Sequence, residues 1–312
     1  MNQTVVLSGG VGAARFLEGL VNVLPAESIC AIVNTGDDIE MHGLHISPDV
    51  DIVICTLAGI IHPGQGWGIV DDSDHCMAML GKLGAPTWFM LGDKDMALHI
   101  QRTALMKQGF SGTQISQQFC QALGVGVRVL PMTHDSVQTH IRTPQGLVHF
   151  QHFLVRDRAQ STITGIEYVG MESAQATADV HTAMATAKQI IIAPSNPLVS
   201  VGTILSLPGM TEQLRNRRVP AITVSPIVGG KAIKGPLVPM LQNAGIEVSA
   251  LGIAQHYQGL IDGMVIDQQD AELAAPIEAL GVRVRVTDTI MRDMAHKTAL
   301  AHQCLELLAE LR

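Results

Sequence analysis

Residues 5–16 read VVLSGGVGAARF, and this stretch decides the fold class. Val5, Val6 and Leu7 have the β-branched, apolar character of a buried strand, which stops at Ser8. Gly9, Gly10 and Gly12 break the run, and a helical pattern opens at Ala13-Ala14-Arg15-Phe16. Strand, glycine turn and helix in that order begin a βαβ unit, whose crossover returns the chain to a parallel neighbour. Glycines let the backbone approach a ligand closely, and a helix start offers free N–H groups and a positive dipole end. Arg15, on the first turn, can add a charge-assisted contact to a phosphate. The loop has neither the Gly-Lys-Ser/Thr ending of a nucleoside-triphosphate loop nor G-x-G-x-x-G spacing. A tight turn without ligand satisfies the same residues, so alone the loop claims an anion and no more.

Five further apolar runs end as abruptly: AIVN (31–34), IIIA (190–193), AITVS (221–225), GMVID (263–267) and RVRVTD (283–288). Continuous apolar strands alternating with helical stretches predict a mostly parallel sheet covered by helices on both faces, a Rossmann-like three-layer α/β sandwich. Ligands of such sheets bind beyond the carboxyl ends of the strands, where all these loops lie. Between residues 61 and 165 the texture changes, with more His, Asp, Gln and Met and helical patterns at 75–83 and 94–123. VRVLPM (127–132) and TPQGLVHFQHFLV (143–155) read as short antiparallel strands. The expected organisation is a core of residues 1–60 and 166–312, with 61–165 as a smaller α+β insertion lobe. The C-terminal stretch ending ELLAELR is an amphipathic helix covering one face of the sheet.

The 312 residues are 47% hydrophobic but only 3% aromatic, which describes an aliphatic core of sheet and helix. A net charge of -8 argues against nucleic acid as the partner. The five cysteines are widely spaced, without a C-x-x-C pair, and read as reduced core residues of a cytoplasmic protein. The N-terminus has no signal-peptide pattern, and no apolar stretch approaches the roughly 18 residues of a membrane span.

Four other groups carry chemistry. Asp37 and Asp38 in NTGDD, with Asp49 and Asp51 in SPDVD, place four carboxylates within fifteen positions. Hard carboxylate oxygens beside a phosphate loop suit Mg²⁺, which commonly joins one or two carboxylates to substrate phosphates. Single Asp residues in turns have a simpler role as caps. In GDKD (92–95), Lys94, followed by His99 and Arg102 at helical spacing, offers cations to an anionic substrate; a capped helix start explains the same residues. Ser195 and Asn196 in APSNP supply a hydroxyl and an amide for a nucleotide base or phosphate, and Gly229, Gly230, Lys231 and Lys234 again suit an anion. His149 and His152 flank Phe150 and Phe153 in a packing role. No nucleophile elbow surrounds Ser195, which disfavours a hydrolase triad. The combined inventory is that of phosphoryl chemistry: a cradle, a metal and an in-line hydroxyl.

Taken as blocks, LSGGVGAARFLEGL (7–20), VNTGDD (33–38), HGLHISPDVD (42–51), GWG (66–68), PTWFMLGDKDMALHIQR (86–102), LPMTHD (130–135), HFQHFLV (149–155), APSNPLVSVGTILSLPG (193–209) and VSPIVGGKAIKGP (224–236) resemble the 2-phospho-L-lactate transferase family of coenzyme F420 biosynthesis. The resemblance runs nearly end to end. It implies a Rossmann-like core with a smaller lobe, a homodimer, and Mg²⁺ as the metal. The implied reaction passes a phospho-three-carbon acid (2-phospho-L-lactate, phosphoenolpyruvate or 3-phosphoglycerate) from a guanosine diphospho-linked donor to the ribityl hydroxyl of the deazaflavin Fo, releasing GMP. Carried onto this chain, it puts Ser8, Gly9, Gly10, Gly12 and Arg15 near the donor diphosphate. Asp37, Asp49 and Asp51 become the metal or Fo-hydroxyl residues, with Asp37 or Asp51 orienting the hydroxyl. Lys94 would bind acceptor or donor, and Ser195 and Asn196 the nucleotide. Three positions depart from the commoner family pattern: Ala13 for Gly, Lys94 for Arg, and His134 for Asp. A regulatory nucleotide-sugar-binding protein with the same core is the rival, and the joint presence of HGLHISPDVD and GDKD speaks against it.

Overall fold

The computed structural model describes residues 3–62, 64–232 and 235–312. Its main sheet has seven strands: β1 (Gln3–Ser8), β2 (Ile29–Val33), β3 (Arg128–Pro131), β4 (Ala187–Ile192), β5 (Ala221–Val224), β6 (Gly263–Asp267) and β7 (Arg283–Thr287). Their order across the sheet is β7-β6-β5-β4-β1-β2-β3, and every adjacent pair is parallel. Strand order therefore reverses between β1 and β4. At such a switch point two successive crossovers diverge to opposite faces of the sheet and leave a crevice above the strand ends.

The expected three-layer α/β architecture is present, because the interior strands have no polar face to leave in water. β2 reads ICAIV with all five residues buried, as does β6, GMVID. One face packs Leu7, Ile190, Ile192 and Ile204 into a single cluster; the other packs Val6, Phe16, Leu17, Ile191 and Leu307. On that second face lie α1 (Gly10–Leu20), α2 (Pro48–Leu57) and the long C-terminal helix, Met294–Glu310. Gly19 makes one contact of this layer possible: a Cβ there would come within 2.3 Å of the Lys297 carbonyl oxygen.

The segment between the core halves is more divided than its sequence suggests. VRVLPM contains β3, which pairs parallel with β2 at the sheet edge instead of forming an antiparallel strand of the lobe. Helix Gly112–Ala122 joins the same core through Ile115, Phe119 and Cys120. Both bury apolar side chains in the main core, Val129 and Leu130 from the strand and Ile115 and Phe119 from the helix. What stands over the sheet edge is smaller: a hairpin of Ile39–Met41 with Leu44–Ile46, helix His75–Lys82, helix α3 (Asp93–Lys107), and an antiparallel sheet of Gln138–Thr143 with Gly146–His149 and Gly165–Val169. The stretch read as strand through residue 155 ends at His149 and continues as a short π-helical turn, His152–Arg156. Phe150 and Phe153 are buried there, and both belong to the small core beneath the antiparallel sheet.

Candidate active site

The crevice at the switch point is a cavity of about 850 Å³. Gly9, Gly10, Gly12 and Arg15 form one wall, from the turn between β1 and α1. The loop after β4 adds Pro194, Ser195 and Asn196, and the β2 loop and the start of α2 add Asp37 and Asp49. The lobe adds Trp67, Trp88, Phe89, Met90 and Phe150 to the lining. Eight of the residues expected from sequence are thereby brought together from four strand-end segments.

The glycines are dictated by neighbours as much as by any ligand. A Cβ on Gly12 would lie 2.2 Å from the Pro194 carbonyl oxygen, and one on Gly9 would lie 2.5 Å from the Ser200 Cβ and 2.9 Å from Asp49 Oδ2. Gly10 has φ of +67°, in the left-handed region that favours glycine. Ser195 clamps the same turn: its hydroxyl donates to the Gly9 carbonyl at 2.9 Å and accepts from the Gly9 N–H at 3.3 Å. The Asn196 carboxamide oxygen accepts from the Leu198 N–H at 2.9 Å. Both side chains line the cavity while holding their own loops in shape.

Asp37 and Asp49 are the charged floor. Both are buried, and Asp37 Oδ1 has no hydrogen-bond partner. Burial raises the Asp37 carboxyl well above its ordinary range, and the neighbouring Asp49 charge adds to the rise. Asp49 is raised too, chiefly by burial, against the opposing hydrogen bond from Asn34. Asn34, fully buried, donates from Nδ2 to Asp49 Oδ2 at 3.0 Å and to the Val199 carbonyl at 3.3 Å, and its Oδ1 accepts from the Gly36 N–H at 2.8 Å. One amide thus ties both acidic segments to the loop after β4. Among the described residues, no group of three or more His, Cys, Asp or Glu is placed to hold a metal ion. Two carboxylates, one with a bare buried oxygen, fit the partial protein ligation that Mg²⁺ accepts when substrate phosphates complete its shell.

Six other residues singled out in the sequence stand elsewhere. Asp51, one turn along α2, faces away from the cavity, and the Arg102 guanidinium on α3 grips both of its oxygens, with Nη1 to Oδ2 at 2.9 Å. In this structure the Asp51 carboxylate is a structural partner in a buried fork with arginine. His99 and Arg102 are buried in that same network and are not free cations. Lys94 is exposed, with Nζ donating to the Val70 carbonyl at 2.7 Å outside the cavity. Ser8 is fully buried at the end of β1, its hydroxyl on the Val6 carbonyl at 3.3 Å. Lys231 is exposed outside the cavity lining, while Lys234 lies outside the described residues.

The neighbouring Asp38 works behind the floor. Its carboxylate accepts from Ser47 Oγ at 2.7 Å and meets His45 Nε2 at 3.0 Å, while its carbonyl is 3.2 Å from His149 Nε2. Burial pushes His149 down to about 4, so it is neutral at pH 7 and tethers the lobe sheet to the acidic loop. The aromatic wall escaped the residue-by-residue reading. Its signal was there, since both tryptophans of the chain, Trp67 and Trp88, occur in the GWG and PTWF blocks.

A family model described as 2-phospho-L-lactate transferase CofD matches residues 4–301. The chain belongs to this family. It is 40% identical over 99% of its length to a phosphoenolpyruvate transferase of Streptomyces griseus, covering 99% of that protein. It is 34% identical over 98% of its length to a 2-phospho-L-lactate transferase of Methanococcoides burtonii, covering all of it (100%). Among solved structures it resembles a UPF0052-family protein of Bacillus halodurans, with a TM-score of 0.64 and 16% identity over 98% of this chain and 99% of that one. That likeness concerns the fold alone. Membership makes the chain a transferase acting on small molecules in F420 biosynthesis. Among the described residues, no helix is long and apolar enough to cross a membrane.

Proposed function

We propose that this member transfers a phospho-three-carbon acid from its guanosine diphospho-linked donor to the ribityl hydroxyl of Fo, with release of GMP. The observation that carries the reading is the Asp37–Asp49 floor, set between an amide-rich glycine turn and a broad aromatic wall in one cavity. The turn between β1 and α1, with Arg15, suits a diphosphate. Trp67, Trp88 and Phe89 suit a flat tricyclic ring, whose faces pack on aromatic side chains. Between them, the Fo hydroxyl oxygen attacks the phosphorus that carries the three-carbon acid. The bond from that phosphorus to the oxygen of GMP breaks, and GMP leaves with the electron pair. Asp37, its proton affinity raised by burial and by Asp49, orients the hydroxyl and takes its proton. Asp37 and Asp49 would hold Mg²⁺, which supplies charge neutralisation at the phosphates. No covalent enzyme intermediate is required.

Relatives named phosphoenolpyruvate transferase reach 40% identity, against 34% for the Methanococcoides 2-phospho-L-lactate transferase, which favours the phosphoenolpyruvyl donor. The same reading extends to a homodimer in the cytoplasm, the former checked by sedimentation. Incubation with Fo, Mg²⁺ and each of the three candidate donors, followed by chromatography with mass detection, tests the reaction. GMP and a phosphodiester of Fo are expected, fastest with the phosphoenolpyruvyl donor. Unchanged Fo with all three donors would overturn the proposal.

A further inference from the structure

The loop after β7 enters the cavity at residues Thr289, Ile290, Met291 and Arg292, far in sequence from every motif that suggested a site. Among the described residues, Arg15 and Arg292 are the cationic side chains of the lining. Their surroundings differ. Arg15 stands on the first turns of a helix, whereas Arg292 sits on a loop built to hold it in place. The Asp267 carboxylate at the end of β6 accepts from both the Thr289 N–H (2.9 Å) and the Thr289 hydroxyl (3.0 Å), and is itself buried. Asp288 Oδ1 accepts from the Ile290 N–H at 3.0 Å, and the Arg292 N–H donates to the Ile290 carbonyl at 2.9 Å. Asp288 Oδ2 then receives Arg292 Nη1 at 2.5 Å. One edge of the guanidinium is splinted, and the side chain is half exposed, leaving further N–H groups of the fork to a ligand.

We infer that Arg292 is a substrate-binding residue that grips an oxyanion of the donor from the loop after β7. The inference rests on the transferase reading above, in which the donor carries two phosphates and a carboxylate. A glycine turn, Arg15 and two carboxylates that hold a cation do not by themselves offset that much negative charge. A planar, permanently charged fork held by Asp288 loses little freedom when it binds, which suits a bidentate oxyanion contact. The sheet order supports the placement. β7 is the edge strand on the β4 side of the switch point, so the loop after it brings Arg292 to the cavity from the side away from β2 and β3.

The test compares wild type with R292M and R292K by calorimetry with GDP, by calorimetry with the guanylyl donor in the absence of Fo, and by steady-state rates. R292M should weaken donor binding and raise the donor KM by roughly 10- to 100-fold, the usual worth of a charge-assisted contact. The KM for Fo and the melting temperature should stay as in wild type, and R292K should recover only part of the loss. Equal losses for GDP and donor assign the contact to the diphosphate. Loss for the donor alone assigns it to the acid carboxylate. Unchanged affinity for both overturns the inference while wild-type turnover still supports the reaction. Absence of turnover in wild type itself counts against the reaction, not against Arg292 alone.

Discussion

Asn34 Nδ2 donates to Asp49 Oδ2 at 3.0 Å, inside a core where neither residue meets solvent freely. This bond joins the end of β2 to the start of α2, and the same amide binds Gly36 and Val199. Replacing it by aspartate keeps the shape but adds a third carboxylate to a buried pair already strained by charge. N34D should lower turnover at least about tenfold, and N34L, which strands several buried polar groups, should cost about 1–3 kcal/mol of stability. Fo conversion and thermal unfolding of the two variants check these outcomes.

Asp37 and Asp51 should separate cleanly. D37N removes the group that takes the hydroxyl proton, so turnover should fall at least about 100-fold. Because it also relieves a buried like-charge pair, the folded protein should gain about 1 kcal/mol or more. D51N breaks the fork with Arg102 and should instead destabilise by about 3–5 kcal/mol, the cost of leaving one buried partner. A D51N enzyme as stable as wild type but inactive would return Asp51 to the chemistry.

Gly12→Ala tests the close approach of the two loops at the switch point. Its methyl carbon would collide with the Pro194 backbone oxygen, which cannot rotate away as a side chain tip would. The turn between β1 and α1 must shift, and a loss of about 1–3 kcal/mol together with weakened GDP binding is expected. Melting curves with and without GDP measure both.

Trp67 is half exposed at 52%, so W67A should leave stability almost unchanged. If it packs against the deazaflavin, the KM for Fo should rise about tenfold, with the donor KM constant. A change in the donor KM instead would move the acceptor away from the aromatic wall.

His99 sets an acid limit on stability. Burial holds it down to about 4 from the ordinary 6.5, and its Nδ1 lies 3.3 Å from Arg102 Nη1. The unfolded chain therefore binds this proton first on acidification. The contribution is present above about pH 6.5 and lost as pH falls through about 4. H99Q should flatten the stability profile between those values, as measured by denaturant unfolding at each pH; His149, held to about 4 in the same way, retains part of the slope.

What the sequence determined by itself was local. VVLSGGVGAARF, with its strand, three glycines and helix start, specified a βαβ opening because apolar β-branched runs and glycine turns have few alternatives. The strands at 190–193, 221–225, 263–267 and 283–288 were legible for the same reason, as was the clustering of Asp37 and Asp49 near the glycine turn. Tertiary structure decided which side chains face the same space. On α2, Asp49 and Asp51 are two residues apart, so they project about 200° apart around the helix; one meets the cavity and the other meets Arg102. It also decided that VRVLPM would extend the main sheet, since the open edge of β2 offered it a full ladder of parallel hydrogen bonds. Arg292 and the aromatic wall enter the site only through strand order and the fold of the lobe, which spacing along the chain does not record. Ser195 and Gly12 show the same limit from the other side: their residue types were readable, but the backbone groups they meet, at Gly9 and Pro194, come from across the switch point.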